Sequence, residues 1–333
     1  MRITVFEAEQ WERDALHPLD GAHYVRFLSD PLREPVPEEY TDSEIVSVFI
    51  YSQLRRPVLE RFGRLKMIAT RSAGYDHIDL GYCKERGILV ANVPTYGDNT
   101  VAEHVFALLL GISHHMVEAV DRTRRGDFSL RGLRGFDLMG KTLGVIGTGG
   151  IGRHVIRIAK GFEMNVVAYD ARPNERAARE LGFTYAPLDR LLAESDVITL
   201  HVPGGKSTEG LIGDREFGMM KRGAVLINTA RGSVVDVNAL IRALAEGKVA
   251  AAGLDVLPEE PVIREEAELL RSMFTRQHAM DQILAGHVLL RLRNVIITPH
   301  SAFNTNEAVG RILTTTLENI EAFVRGEPRN VVV

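Results

Sequence analysis

Lys141-Thr142-Leu143-Gly144-Val145-Ile146-Gly147-Thr148-Gly149-Gly150-Ile151-Gly152 is the stretch on which the fold turns. An apolar, β-branched run leads straight into Gly-x-Gly-x-x-Gly, and Arg153 to Phe162 follows with helical period. Thirty glycines produce such a spacing by chance, so the strand before it and the helix behind it are what give it meaning. Gly147 allows a tight turn, Gly149 lets the backbone approach a pyrophosphate, and Gly152 permits close helix–strand packing. Backbone amides of Thr148, Gly150 and Ile151 then lie at a helix start, where free N–H groups attract an anion. The next strand pattern ends in Tyr169-Asp170. That spacing matches a dinucleotide-binding βαβ unit, with Asp170 accepting hydrogen bonds from a ribose. Its charge disfavours an extra ribose phosphate, so NAD is the expected cofactor. Arg172, two residues on, pulls weakly the other way.

Working outward, the same rhythm of short apolar run, turn and helical stretch recurs on both sides. Ile3 to Phe6, Ile45 to Ile50, Leu65 to Ala69 and Ile88 to Val90 form one series. Thr142 to Ile146, Asn165 to Tyr169, Val197 to Leu200, Ala224 to Ile227 and Val295 to Ile297 form another. Continuous β-branched runs suit strands buried on both faces of a parallel sheet. With helical patterns such as Glu175 to Leu181 and Val237 to Glu246 between them, the alternation predicts α/β architecture with two parallel sheets. A long helix separates the series. It is expected to start near Thr100, capped by Asn99 or Thr100 with a Thr100–Glu103 capping box, and to run on through Met116 and Val117. Its apolar residues fall on more than one face. That favours packing against a second subunit, with an extended charged arm over Arg122 to Arg134.

Composition narrows the field. The chain has 333 residues, 45% hydrophobic and 25% charged, as soluble globular proteins do. A length of this order suggests about two domains. The formal charge of −4 offers no strong nonspecific attraction to nucleic acid. A single cysteine, Cys83, forms no internal disulfide and suits a reducing compartment. The longest aliphatic stretches, such as Val105 to Ile112, are far short of the ~18 residues that span a bilayer. With no signal-like N-terminus, the expectation is a cytoplasmic protein without membrane or nucleic-acid partners.

In open α/β sheets ligands sit beyond the carboxyl ends of strands. Reading only those positions gives Asp170, His201-Val202-Pro203, Thr229-Ala230-Arg231, Asp255 and His300. Taken singly, His300 reads as a structural histidine and Arg231 as a surface ion-pair residue. Beside a dinucleotide site, the set reads as hydride chemistry on a carbonyl adjacent to a carboxylate. An arginine fork fixes the carboxylate and polarises the carbonyl. A histidine paired with a carboxylate supplies the proton near neutral pH. Glu260, in Leu257-Pro258-Glu259-Glu260-Pro261, is the expected partner of His300.

These residues, together with Arg71-Ser72-Ala73-Gly74-Tyr75-Asp76-His77-Ile78-Asp79, Asn92-Val93-Pro94-Thr95-Tyr96, Thr229-Ala230-Arg231-Gly232 and Thr298-Pro299-His300-Ser301-Ala302-Phe303, are recognisable as a set. Over essentially its whole length the chain resembles the D-isomer-specific 2-hydroxyacid dehydrogenases, most closely their D-lactate dehydrogenase branch. The resemblance implies Arg231 as the substrate-binding arginine, His300 as acid/base and Glu260 as its partner. It implies that backbone amides of Ala73 and Gly74 hold the substrate carboxylate, and that Tyr51, Tyr96 and Phe303 line the side-chain pocket. Asp255 would set the electrostatics near Arg231 and the nicotinamide. Two Rossmann-like or flavodoxin-like domains are implied, with the active site in the cleft they form. One is a discontinuous substrate domain, residues 1–98 plus 299–333; the other is an NAD domain, 99–298, with a dimerisation helix and arm near 100–135. Homodimers are typical of the family. Two departures stand out: Gly150 replaces the usual basic or His residue of the glycine loop, and 262–291 is long and helical in pattern, as in the lactate branch.

The expected reaction is reversible hydride transfer between NADH and a small 2-keto acid, pyruvate and D-lactate foremost. Hydroxypyruvate, glyoxylate or bulkier acids are the alternatives within the family. A non-catalytic NAD-sensing protein resembling co-repressors is the alternative of another class, disfavoured by Arg231, Glu260 and His300. A formate-type activity ranks low, because typical formate enzymes lack a Glu at the Glu260 position. No metal site is expected: His114-His115 has the wrong spacing for a zinc pair. Cys83 reads as an inert helix residue, and Arg122 to Arg125 as a solvated helix end.

Overall fold

A computed structural model describes residues 1–258 and 287–333. Contacts divide the chain into Met1–Tyr96 with Thr305–Val333, and Gly97–Asn304. These breaks differ from 98/99 and 298/299, and they assign His300 to Phe303 to the second unit.

The first unit is built on five parallel strands: β1 (Arg2–Val5), β2 (Tyr24–Phe27), β3 (Ile45–Val48), β4 (Met67–Thr70) and β5 (Leu89–Ala91), in the order β2-β1-β3-β4-β5. β3 and β4 are buried at every residue, as continuous apolar runs in a parallel sheet require. Helices α2 (Arg56–Leu59) and α3 (Leu80–Arg86) cover one face. Helix α1 (Gln10–Leu16) and the C-terminal helix α11 (Asn306–Val324) cover the other. The last residues return to the sheet edge, where Val90 and Val332–Val333 exchange backbone hydrogen bonds.

The second unit carries seven parallel strands: β6 (Thr142–Ile146), β7 (Asn165–Tyr169), β8 (Thr184–Tyr185), β9 (Val197–Leu200), β10 (Ala224–Asn228), β11 (Val249–Leu254) and β12 (Val295–Ile297). Their order is β12-β11-β10-β9-β6-β7-β8, with the switch of direction between β6 and β9. Ligands of doubly wound sheets bind at such a switch. Helices α4 (Asp98–Ser113), α6 (Gly150–Gly161) and α7 (Glu175–Leu181) pack on one face; α8 (Leu188–Glu194), α9 (Asp214–Met219) and α10 (Val237–Ala245) pack on the other. The α/β class with two parallel sheets is as the sequence predicted.

The long helix differs from its expected form. It starts at Asp98, with Gly97 at the N-cap and no side-chain cap. Thr100 is buried inside the first turn, so no Thr100–Glu103 capping box forms; Asn99 Nδ2 instead bonds Glu103 Oε1 at 3.2 Å. The helix stops at Ser113. His115, in the left-handed region at φ +48°, turns the chain by 61° into α5 (Met116–Arg124). No single helix among the described residues is long and apolar enough to cross a membrane. The 262–291 stretch lies almost wholly outside the described residues.

Candidate active site

The glycine loop follows β6 directly. Gly147 has φ +96°, and a Cβ there would lie 2.5 Å from the carbonyl oxygen of His201. A Cβ on Gly152 would lie 2.1 Å from the carbonyl oxygen of Gly147. At Gly149 a Cβ would meet nothing within 4 Å, so that side of the loop is open. Gly149 also N-caps α6 without a side-chain bond, leaving first-turn N–H groups for an anion. At Gly150 a Cβ would come within 2.0 Å of the Asp98 carboxylate, so the Asp98 side chain packs against the loop here. Ile151 packs its side chain towards the core and offers the loop only its backbone.

Asp170, at the end of β7, is bonded into this loop. Its Oδ2 accepts from the backbone N–H and the hydroxyl of Thr148 at 2.7 and 2.9 Å, and Oδ1 accepts from the Arg172 N–H at 2.8 Å. Partial burial works to raise its pKa; the bonds from Thr148 and Arg172 outweigh it and hold the carboxyl below its ordinary value. Tyr185 completes the network. Its hydroxyl accepts from the Asn174 N–H at 3.0 Å and lies 2.8 Å from Thr148 Oγ1. Since the Thr148 hydrogen goes to Asp170, Tyr185 donates to Thr148.

His201 follows β9, with Nε2 2.9 Å from Thr199 Oγ1. Burial pulls its imidazole down to about 3, so the ring is neutral at physiological pH. Val202 packs against the core, while Pro203 is exposed and its carbonyl accepts from Thr208 Oγ1 at 2.7 Å. After β10, buried Asn228 shapes the next turn, accepting from the Ala230 N–H at 3.0 Å and donating to the Arg231 carbonyl at 2.9 Å. Among the described residues, the buried hydroxyl of Thr229 has no hydrogen-bond partner. An uncapped helix start, an open face at Gly149, the Asp170 carboxylate and the orphaned Thr229 hydroxyl fit a dinucleotide laid along these strand ends.

The half-buried side chain of Arg231 bonds the Ala230 carbonyl at 2.8 Å, and its stem fills the space a Cβ on Gly204 would need. Gly232 lies so close to Leu257–Pro258 that a Cβ would meet their backbone at 2.2 to 2.4 Å. The Arg231 turn is thereby fixed to the segment that leads to Glu260; Glu260 itself lies outside the described residues.

Asp255 ends β11 with 1% of its surface exposed. Oδ1 accepts from Thr298 Oγ1 at 2.5 Å and the Ser301 N–H at 2.9 Å; Oδ2 accepts from the Ala302 N–H at 2.9 Å. The His300 N–H bonds the Asp255 carbonyl at 2.9 Å. Asp255, which the family resemblance implies sets the electrostatics near Arg231 and the nicotinamide, has its carboxylate wrapped in the 298–302 loop. This loop holds His300 at φ +54°, a conformation that costs a non-glycine residue roughly 1–2 kcal/mol. The bonds to Asp255 offset that cost.

In the first unit, the N–H groups of Ala73 and Gly74 meet no acceptor among the described residues. Their carbonyls are held by Asn92 Nδ2 at 2.8 Å and Ser72 Oγ at 2.6 Å. Tyr51 is exposed, with its N–H on Glu7 Oε2 at 2.9 Å; the Tyr96 carbonyl accepts from Arg311 at 2.6 Å. Phe303 belongs to the second unit. Among the described residues no three His, Cys, Asp or Glu side chains are grouped to hold a metal ion.

Residues 106–302 match the family model for the D-isomer specific 2-hydroxyacid dehydrogenase, NAD binding domain. D-lactate dehydrogenase of Escherichia coli is 36% identical, over 98% of each chain. The chain belongs to the D-isomer-specific 2-hydroxyacid dehydrogenases. Glyoxylate reductase of Thermococcus litoralis is 35% identical, over 100% of this dehydrogenase and 97% of that protein. A crystal structure of D-lactate dehydrogenase from Aquifex aeolicus, complexed with NAD and lactic acid, superposes with a TM-score of 0.85 at 40% identity, covering 98% and 96% of the two chains. The protein is therefore an NAD-dependent oxidoreductase acting on the CH–OH group of 2-hydroxy acids, and NAD is its cofactor.

Sequence reasoning missed Tyr185, Asn228 and Thr298, which shape the loops around this dehydrogenase's strand ends. Tyr185 sits on a two-residue strand. Asn228 was visible, as the amide that closes the apolar run Val225 to Ile227 three residues before Arg231.

Proposed function

We propose that this dehydrogenase interconverts pyruvate and D-lactate. The observation that carries the reading is the loop that wraps Asp255 and presents His300, at the carboxyl ends of strands in the same parallel sheet as the Arg231 turn and the glycine loop. Bound NADH supplies a hydride to the carbonyl carbon. The chain's own groups do the rest. The Arg231 guanidinium pairs with the substrate carboxylate and polarises the keto group; the imidazolium of His300 gives its proton to the oxygen, which leaves as the hydroxyl of the product. Glu260 is proposed as the carboxylate partner of His300. In the cofactor site, Gly147 to Gly152 take the pyrophosphate and Asp170 the ribose, with His201, Val202, Pro203, Thr229 and Ala230 completing the wall. From the first unit, the open N–H groups of Ala73 and Gly74 suit a carboxylate. Tyr51, Tyr96 and, from the second unit, Phe303 favour a small, partly apolar side chain.

Glyoxylate reduction is the second reading, supported by relatives with that activity at similar identity. NADH oxidation with pyruvate, glyoxylate, hydroxypyruvate and phenylpyruvate in parallel, with NADPH as control, separates them. Fastest turnover with pyruvate and NADH, yielding D-lactate, is expected. Preference for glyoxylate moves the substrate and keeps the mechanism. Tight NADH binding with no keto acid reduced overturns the reading in favour of a sensor.

We further infer a homodimer joined through the second unit, working in the cytoplasm, where Cys83 stays reduced. Met116, Val117, Val120, Phe128, Leu130 and Met139 are all exposed within one segment. That segment borders a cavity of about 590 Å³ whose walls include Ile112, Val117, Phe136 and Ile296. A second copy covering it would bury these side chains reciprocally. Sedimentation should give a dimer for the wild type and a monomer for Phe128→Asp with Leu130→Asp.

A further inference from the structure

His104 projects from α4 beside the loop that presents His300. Its Nε2 lies 2.9 Å from Thr298 Oγ1 and 3.5 Å from Asp255 Oδ1. The Thr298 hydroxyl has one hydrogen, and it points at Asp255 Oδ1 over 2.5 Å. The hydrogen between His104 and Thr298 therefore sits on His104 Nε2. A directed chain results: His104 N–H to Thr298 O–H to the Asp255 carboxylate, which also gathers the Ser301 and Ala302 amides.

The neighbours of His104 on α4, Val105, Phe106, Leu108 and Leu109, are buried in the apolar core, so the helix is a rigid base. His104 itself is 20% exposed and is the polar contact through which that base reaches the 298–302 loop. His300 lies inside this loop in a left-handed conformation, so its direction depends on the loop being pinned at both ends. One end is Thr298; the other is the Ser301–Ala302 pair on the same carboxylate. Without the Thr298 hydroxyl bond the near end is held by backbone bonds alone, from the Thr298 N–H to the Leu254 carbonyl and from the His300 N–H to the Asp255 carbonyl, each at 2.9 Å.

We propose that His104 is a positioning residue for His300, acting through Thr298 and Asp255. The proposal rests on the acid/base role given to His300 above. Small misplacements of a proton donor cost rate far more than binding. His104→Leu should lower kcat about tenfold with pyruvate or glyoxylate while the KM for NADH stays within about twofold. His104→Gln, whose amide can donate to Thr298, should recover to within about threefold of wild type. Thr298→Val should match His104→Leu, and the double variant should be no worse than Thr298→Val alone, because both break one chain.

A second readout is independent of turnover. Hydrogen exchange at the Ser301 and Ala302 amides should speed up about tenfold in His104→Leu and not in His104→Gln, with β10 equally protected in both. Wild-type kcat in His104→Leu, equal losses in the Leu and Gln variants, unchanged exchange, or additive losses in the double variant overturn the proposal. The site reading fails separately: a His300→Gln protein that still turns over refutes the role of His300. A dead His300→Gln beside an unaffected His104→Leu refutes only the role of His104.

Discussion

Thr148 donates twice to one oxygen of Asp170, through its backbone N–H at 2.7 Å and its hydroxyl at 2.9 Å. The glycine loop after β6 and the end of β7 are therefore one unit, and the carboxylate proposed to recognise the ribose also sets the loop's shape. Hydrogen bonds to a charged acceptor contribute about 1.5–3 kcal/mol. Asp170→Ala removes the acceptor and the charge together. The KM for NADH should rise about tenfold or more, and that for NADPH should rise less, so the ratio of the two kcat/KM values moves towards NADPH. An unchanged ratio would show that Asp170 does not discriminate between the cofactors.

How much of this was legible in the sequence follows from burial. β9 and β10 are buried at every position and stand out as unbroken apolar runs. The edge strands Tyr24–Phe27 and Thr184–Tyr185 escape notice because half-exposed, short strands need no such run. The helix pattern carried past Ser113 because Met116 and Val117 continue the apolar period, but both are exposed and the chain bends at His115. Asp170, Arg231 and His300 stand out as candidates because strand ends are where open sheets bind ligands. His104 was not, since a lone histidine in an apolar helix has no sequence partner; Thr298 is far along the chain. Such long-range pairs come from the fold alone.

His201 gives a pH dependence. Burial lowers its folded-state pKa to about 3, against about 6.5 when unfolded. Above pH 6.5 both states are neutral and the group costs nothing. As pH falls below 6.5 the unfolded chain takes up a proton that the folded one refuses, so stability is lost down to about pH 3. From pH 7.5 to 5 the loss from this residue is about 2 kcal/mol. Urea unfolding at the two pH values should show His201→Asn losing about 2 kcal/mol less than wild type over that interval. Equal losses would mean that the ring is hydrated.

Cys83 is buried in α3, and burial raises its thiol to about 11. Reactivity needs thiolate and access, and both are missing. Iodoacetamide at pH 8 should leave the native protein unlabelled over hours and label one site per chain once urea is added. Enzyme treated with the reagent should keep full activity. Rapid labelling of the native protein would place the thiol at the surface.

The contact of Gly232 with Leu257–Pro258 yields the sharpest test of how Arg231, the arginine proposed to bind substrate, is held. A methyl group at 232 would sit 2.2 Å from the Leu257 carbonyl carbon, far inside contact distance, and the atoms it meets are backbone that cannot swing aside. Something has to shift, and the Arg231 turn is the smaller piece. Overpacking of this kind costs typically 1–3 kcal/mol. Gly232→Ala should therefore fold with a lowered Tm, bind NADH with nearly unchanged KM, and lose kcat/KM for the keto acid at least about tenfold as the guanidinium leaves its position. Displacement of the turn predicts that Arg231→Ala in the same background adds little further loss, because the arginine is already out of place. A full additive loss would show that the turn stayed put and that the strain went into the Leu257–Pro258 side instead.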